Sequence, residues 1–373
     1  MVLPVVVALI LAGAYLAVRR PDPQALPTRP ILPADAWLLD PPAPVFADAD
    51  HGYLLLGRCP TTTCETWVAA THDAGRTWDG AMVPGLTFPS EAGATPRSSL
   101  HALDPTHAVI ESYDAILGGP AARRWYTSDG GRTWTQVPTT PVETVEEVPP
   151  GALAGTTTTA ELPQRIVVTV TRLDGTSAVL ANPPRAPGVA SILIDGVVVA
   201  GDGSLWIQAG SDDDQWLFFS RDRGRTWSTL SWPPGQAVKG HGYRFEPTDG
   251  HTLYLVDEGA FRLWRSTDAG ATWTELAVPY DNGGHDLALV AVGQPDGGLV
   301  LQKPVIEGER VSFEYYAVTP AGPSFQPVAT APAAGPAPRL GNRGTHEMPE
   351  YGLDQPDGSW TPLPFDCRPG GCE

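Results

Sequence analysis

After residue 20 the chain alternates short apolar runs with Gly, Pro, Asp and Thr, and sustained helical periodicity is hard to find. "GYLLLG", "RIVVTVT", "GVVVAG", "SLWIQAG", "HTLYLV" and "GLVLQ" are each bounded by turn-forming residues, which predicts an all-β chain of short strands. The N-terminus breaks this pattern. Residues 2–18 are unbroken in apolar character, Arg19 and Arg20 follow, and a Pro-rich stretch runs to residue 34. Such a segment is short for a membrane span and long for a signal-peptide core. The expectation is a hydrophobic signal-anchor helix over 1–20, a stiff linker over 21–34 and one domain over 35–373. The alternative is a signal peptide cut after Ala12-Gly13-Ala14 and a secreted product. Arg19 and Arg20 favour a cytoplasmic C-terminal flank, which pulls against an extracytoplasmic domain.

One eight-residue phrase recurs: "THDAGRTW" (71–78), "TSDGGRTW" (127–134), "SRDRGRTW" (220–227) and "STDAGATW" (266–273). Its frame is Ser/Thr-x-Asp-x-Gly-x-Thr-Trp, and each residue type suits a tight hairpin. The carboxylates of Asp73, Asp129, Asp222 and Asp268 can accept backbone N–H bonds across the turn. Gly75, Gly131, Gly224 and Gly270 permit positive φ. Trp78, Trp134, Trp227 and Trp273 return the chain to a strand and offer a large ring for burial. These jobs are structural rather than catalytic.

The phrase is identified as the Asp-box, or BNR repeat. It resembles the repeat of sialidases, photosystem II assembly factors, certain glucan-cleaving hydrolases and sorting-receptor ectodomains. That resemblance implies a β-propeller with the box between the third and fourth strands of a blade. The pattern is most similar to bacterial BNR-repeat proteins related to the photosystem II factors. The Asp73–Asp129 and Asp222–Asp268 spacings are 56 and 46 residues, and the 93 between Asp129 and Asp222 leaves room for one worn copy, expected at Asp174-Gly175. Pro320, Gly322 and Phe325 imitate the frame, and "QPDGSWTPL" (355–363) ends the series with Trp360. Six or seven blades follow, with seven favoured at about 48 residues each. "AWLLD" (36–40) is expected to complete the short last blade.

Composition narrows the function. Forty Gly and forty Pro fit many turns. A net charge of −18, with Lys239 and Lys303 the only lysines, argues against nucleic acid. The run Asp212-Asp213-Asp214 lacks the spacing of a calcium loop, so no metal or cofactor is expected. The four cysteines allow three pairings, of which the two local loops Cys59–Cys64 and Cys367–Cys372 are favoured. They suit an oxidising compartment. A four-cysteine zinc site is the alternative.

Strand parity places the candidate site. In four-stranded meanders the 1–2 turns ("DADHG", "LDPTH", "GDGS", "TDGH", "PDGG") share one face with the boxes. The other face carries the longer segments, expected as loops over 58–65, 79–97, 115–124, 135–152, 209–215, 228–242, 274–287 and 302–310. There, Lys239, His241, Tyr243, Arg244, Tyr280, Asp281, His285 and Asp286 are expected near one another. Arg123, Arg124 and Arg310 could add cations. The favoured function is a membrane-tethered extracytoplasmic binding or scaffold module for a protein or glycan. The alternative is a glycoside hydrolase. A sialidase would need three arginines, a Tyr–Glu pair and an acid–base Asp. "TRPILP" with Arg29 departs from the Arg-Ile-Pro phrase of those enzymes, and the adjacent Glu314 and Tyr315 of "RVSFEYY" point to opposite faces of a strand.

Overall fold

A computed structural model describes residues 32–39, 44–90, 98–113, 122–159, 164–186, 193–200, 202–210, 215–230, 243–248, 251–257, 261–280, 290–294, 296–307, 310–328, 338–342, 350–355 and 359–365. Among these residues every regular element is a strand, and the strands form seven sheets that follow one another along the chain. In the second sheet Ser98–Ala102, Ala108–Ser112, Arg123–Thr127 and Thr135–Val137 pair antiparallel in chain order. The fourth, fifth and sixth sheets repeat this meander.

Burial explains which runs are continuously apolar. Leu253–Asp257, the second strand of the fifth sheet, is buried at every position. The outermost strand of the fourth sheet, Ser228–Leu230, exposes two of its three residues. An inner strand is covered on both faces by neighbouring sheets and therefore needs no polar alternation.

The sheets pack face to face in sequence. Tyr53 and Val68 of the first meet Ile110 and Trp125 of the second. Ile166 and Val168 of the third meet Leu205 and Phe218 of the fourth. Trp206 of the fourth packs with Leu255 and Trp264 of the fifth. Leu263 of the fifth packs with Leu299 and Leu301 of the sixth. The first and last sheets also meet: Leu353 of the seventh sheet and Leu363 just after it share a cluster with Leu38, Leu54 and Leu56 of the first. Across that seam Gln355 Nε2 donates to Ala74 O at 2.8 Å. Gly75, at φ 83, lies so close to Leu353 that a side chain has no room there.

Several expectations need correction. Trp37–Leu38 does not complete the last sheet; it pairs antiparallel with Leu56 and Gly57 of the first. Leu38 still reaches the closing seam, so the ring joins there through side chains as well as through the Gln355 bond. Asp79–Pro89, expected as loop, is an eleven-residue strand. Leu299–Glu307 and Arg310–Val318 form a long hairpin where 302–310 was expected to be loop. The third sheet runs Glu143–Val145, Ser177–Leu180, Ile166–Thr171, Leu153–Thr158, and its first pair is parallel. The turn at Asp174 closes with Arg172 N on Thr176 O (3.0 Å), and Asp174 accepts the Thr176 N–H at 2.9 Å. It stands in the hairpin position expected of a worn box without bonding as one. Gln355 N on Ser359 O (2.8 Å) closes the corresponding hairpin of the seventh sheet.

Cys59 and Cys64 form a disulfide across the loop between Gly52–Arg58 and Thr63–Thr71. Cys64 packs on Leu39 and Phe88. Cys367 and Cys372 lie outside the described residues, as do 1–31. Among the described residues no helix is long and apolar enough to cross a membrane.

Candidate functional site

The four boxes share one hydrogen-bond pattern. Asp129 Oδ1 accepts the Thr127 hydroxyl (2.8 Å) and the Thr133 N–H (3.0 Å), while Oδ2 accepts the Thr133 hydroxyl (2.7 Å). Gly131 N–H donates to Thr127 Oγ1 at 3.1 Å. The same bonds recur around Asp73, Asp222 and Asp268. They account for Ser/Thr two residues before the Asp, Gly two after and Thr four after. All four glycines have positive φ, from 83 to 97. Trp78 and Trp227 donate Nε1–H to the box glycine carbonyl at 2.9 and 3.1 Å. Trp134 is 5% exposed, and the other three box rings are half-buried.

The fold is an Asp-box β-propeller. No known family profile matches the chain. Over 102 residues it is 34% identical to xyloglucanase Xgh74A of Acetivibrio thermocellus, a match spanning 24% of this chain and 12% of that protein. The chain therefore covers about an eighth of that relative. Among solved structures it is similar to YCF48 bound to a D1 peptide (TM-score 0.40, 15% identity, 79% of this chain and 95% of that one). It is also similar to an ancestral GH74 enzyme (TM-score 0.38, 17% identity, 72% and 36%).

The box carboxylates are held below their ordinary value. For Asp268 the first cause is the Thr272 hydroxyl bond, followed by the Thr272 N–H. For Asp73, Asp129 and Asp222 burial pushes upward and is outweighed by the Thr bonds. A depressed folded pKa contributes stability that is complete above the unfolded value, 3.8, and lost as the pH falls through the folded one. The propeller is therefore expected to lose melting temperature below about pH 4. The melting gap between wild type and Asp268→Ala should narrow over the same range, in thermal scans from neutral to acid pH.

The face expected from parity is observed. Ala74 N donates to Asp50 O (2.9 Å), Gly130 N to Thr106 O (2.9 Å) and Ala269 N to His251 O (2.8 Å), so these three boxes sit against the 1–2 turns of their own blades. The opposite face carries the disulfide loop and the ends of the long hairpin.

Of the predicted cluster, Lys239, His241, Asp281, His285 and Asp286 lie outside the described residues, as do the side chains of Tyr243 and Arg310. Two members are placed. Arg244 Nη2 donates to Ala291 O of the next blade (2.9 Å), and its Nε pairs with Glu246 at 3.0 Å. Tyr280 packs between Phe261 and Tyr316, and its hydroxyl donates to Gln302 O at 3.2 Å. Both tie blades five and six together. Beside them Glu314 accepts Lys303 Nζ (3.0 Å) and the Tyr316 hydroxyl (2.9 Å). Tyr316, two residues on, is the same-face partner of Glu314.

The seam between blades two and three is polar. Glu111 accepts Arg124 Nε (2.9 Å) and the Tyr113 hydroxyl (3.0 Å). Tyr113 and His101 Nε2 both contact Ser99 Oγ, at 3.0 and 2.9 Å. Arg124, 4% exposed, also donates to Ser177 of the third blade. Burial lowers the His101 pKa, which favours the neutral ring, and pushes Tyr113 up to about 12. Arg124, expected as a cation on the irregular face, is instead buried in this layer, which was not expected from the sequence. The signal was present in the alternation of Ser99 with His101 and Glu111 with Tyr113 on one strand face.

A cleft of about 540 Å³ opens in the third blade, between Thr159 with residues 164–167 and the segment 181–186. Both belong to the face opposite the boxes. Arg165 and Arg185 line it, with Gln164, Asn182, Pro183 and Pro184. Among the described residues no set of His, Cys, Asp or Glu is arranged to hold a metal ion.

Proposed function

We propose that the chain is an extracytoplasmic binding propeller, tethered by its N-terminal apolar segment, that engages a protein or glycan through the face opposite its Asp-boxes. The observation that carries this reading is the bonding of the boxes. Both oxygens of each Asp carboxylate accept bonds inside their own turn, which gives the boxes a structural role. The other face carries the irregular segments and the cleft. The Cys59–Cys64 bond agrees with an oxidising compartment.

A glycoside hydrolase is the second reading, favoured by the local likeness to a xyloglucanase. The test separates stability from recognition. Asp129→Ala is expected to lower melting temperature, through turn bonds worth about 1 kcal/mol each. It should leave unchanged the affinity of the folded fraction for crosslinked envelope proteins or arrayed glycans. His285→Ala should do the reverse. Turnover of xyloglucan, or of a sialic-acid glycoside in a form abolished by Arg310→Ala, would overturn the binding reading.

A further inference from the structure

We propose that the cleft of the third blade binds a small amphipathic carboxylate, whether or not the surrounding face also engages a partner. The first ground is charge. The chain carries 42 acidic residues against 24 Lys and Arg. Many of the described cations are already held by carboxylates: Arg58 by Asp35 and Glu65, Arg124 by Glu111, Arg225 by Glu147, Arg262 by Glu275. Arg165 and Arg185 are exposed and line one cleft, and neither guanidinium meets a carboxylate among the described residues. Glu146 approaches the rim only through Asn182 Nδ2, at 3.5 Å. In so acidic a chain, two guanidiniums left to the same cavity are a built-in counterpart for an anion. Their planar forks match a carboxylate.

The second ground is the rest of the lining. Pro183, Pro184 and Ala186 supply apolar surface beside the arginines, and Pro184 is buried. The combination selects a ligand with an anionic head and a compact apolar body. The volume is that of a small-molecule site.

The third ground is preorganisation. Thr159 N donates to Arg165 O, and Arg165 N donates to Thr159 Oγ1, both at 3.0 Å, which holds the backbone of one arginine. Trp227 Nε1 donates to Asn182 O (2.8 Å) and Ala181 N to Val145 O (2.8 Å), which pins the wall carrying the other. The backbone at Thr159, Arg165, Ala181 and Asn182 is thus held before a ligand arrives.

The test uses the full chain and three probes of one shape: 1-naphthylacetate, 1-naphthylacetamide and 1-naphthyl phosphate, titrated calorimetrically. The carboxylate is expected to bind, with the neutral amide weaker by at least about ten-fold. Arg165→Gln and Arg185→Gln should each weaken the carboxylate by a similar factor, and together abolish binding, with melting temperature unchanged. Ala186→Trp, which keeps both cations and fills the cleft, should also abolish it. The amide and carboxylate comparison needs no variant and so stands even if one misfolds. Equal binding of the amide, indifference to the arginines, or binding that survives Ala186→Trp would overturn the site. Phosphate binding at least about ten-fold tighter than the carboxylate would overturn the ligand class.

Discussion

Replacing Trp125 by alanine is expected to cost about 3–5 kcal/mol of folding stability. The ring is 0% exposed and sits in the cluster joining blades one and two. Its Nε1 donates to Pro84 O at 2.8 Å. Pro84 belongs to a bulge in the strand Asp79–Pro89, where the pairing jumps from Met82 with Trp67 to Thr87 with Glu65. Val83 and Leu86 of that bulge are buried in the same cluster. Truncation therefore removes a large buried ring, leaves a cavity between two stiff sheets and orphans a carbonyl. Trp125→Phe keeps most of the volume and loses the bond, so its cost should be smaller by at least about half. Urea denaturation with matched slopes measures both. A loss below about 1 kcal/mol for the alanine variant would mean that the first two blades are not packed through this ring.

How much of this was legible in the sequence depends on how local the determinants are. The boxes were legible because the bonds around each Asp run from two residues before it to four after. The two faces were legible because strand parity is a counting argument. The assignment of Trp37 and Leu38 failed because an apolar pair fits the edge of either end sheet. The choice was made by Gly57 and Leu56, about twenty residues away, together with the leucines of the closing seam. The worn copy at Asp174 was placed in the right hairpin, but nothing in "RLDGTS" reveals that Thr176, two residues on, takes the carboxylate. The cleft was illegible for a related reason. Arg165 and Arg185 are twenty residues apart in ordinary loop sequence, and only the fold of the third blade brings both to one cavity.

The polar seam between blades two and three gives the other large effect. Glu111→Ala is expected to cost about 3–5 kcal/mol, because it strands a buried cation. The Arg124 and Glu111 side chains are 5% and 15% exposed, so water cannot readily take the place of the lost carboxylate. Tyr113, whose hydroxyl donates to Glu111, loses its acceptor in the same step. Removing both charges should behave differently. Glu111→Leu combined with Arg124→Met deletes the desolvation penalty along with the attraction, and a well-packed apolar pair in a buried layer is commonly neutral or better. The double variant is therefore expected to recover most of the single loss, and a double-mutant cycle from chemical denaturation isolates the coupling. The conditions matter, because His101 contacts Ser99 in the same layer and feels both Glu111 and Arg124. With the histidine neutral near pH 7.5 the cycle reports the ion pair itself. At acid pH an added imidazolium would repel Arg124 more strongly once Glu111 is gone, so the single-variant loss should grow as the pH falls. A single loss under about 1 kcal/mol, with no recovery in the double variant, would show that the seam is solvated and that the pair does not hold blades two and three together.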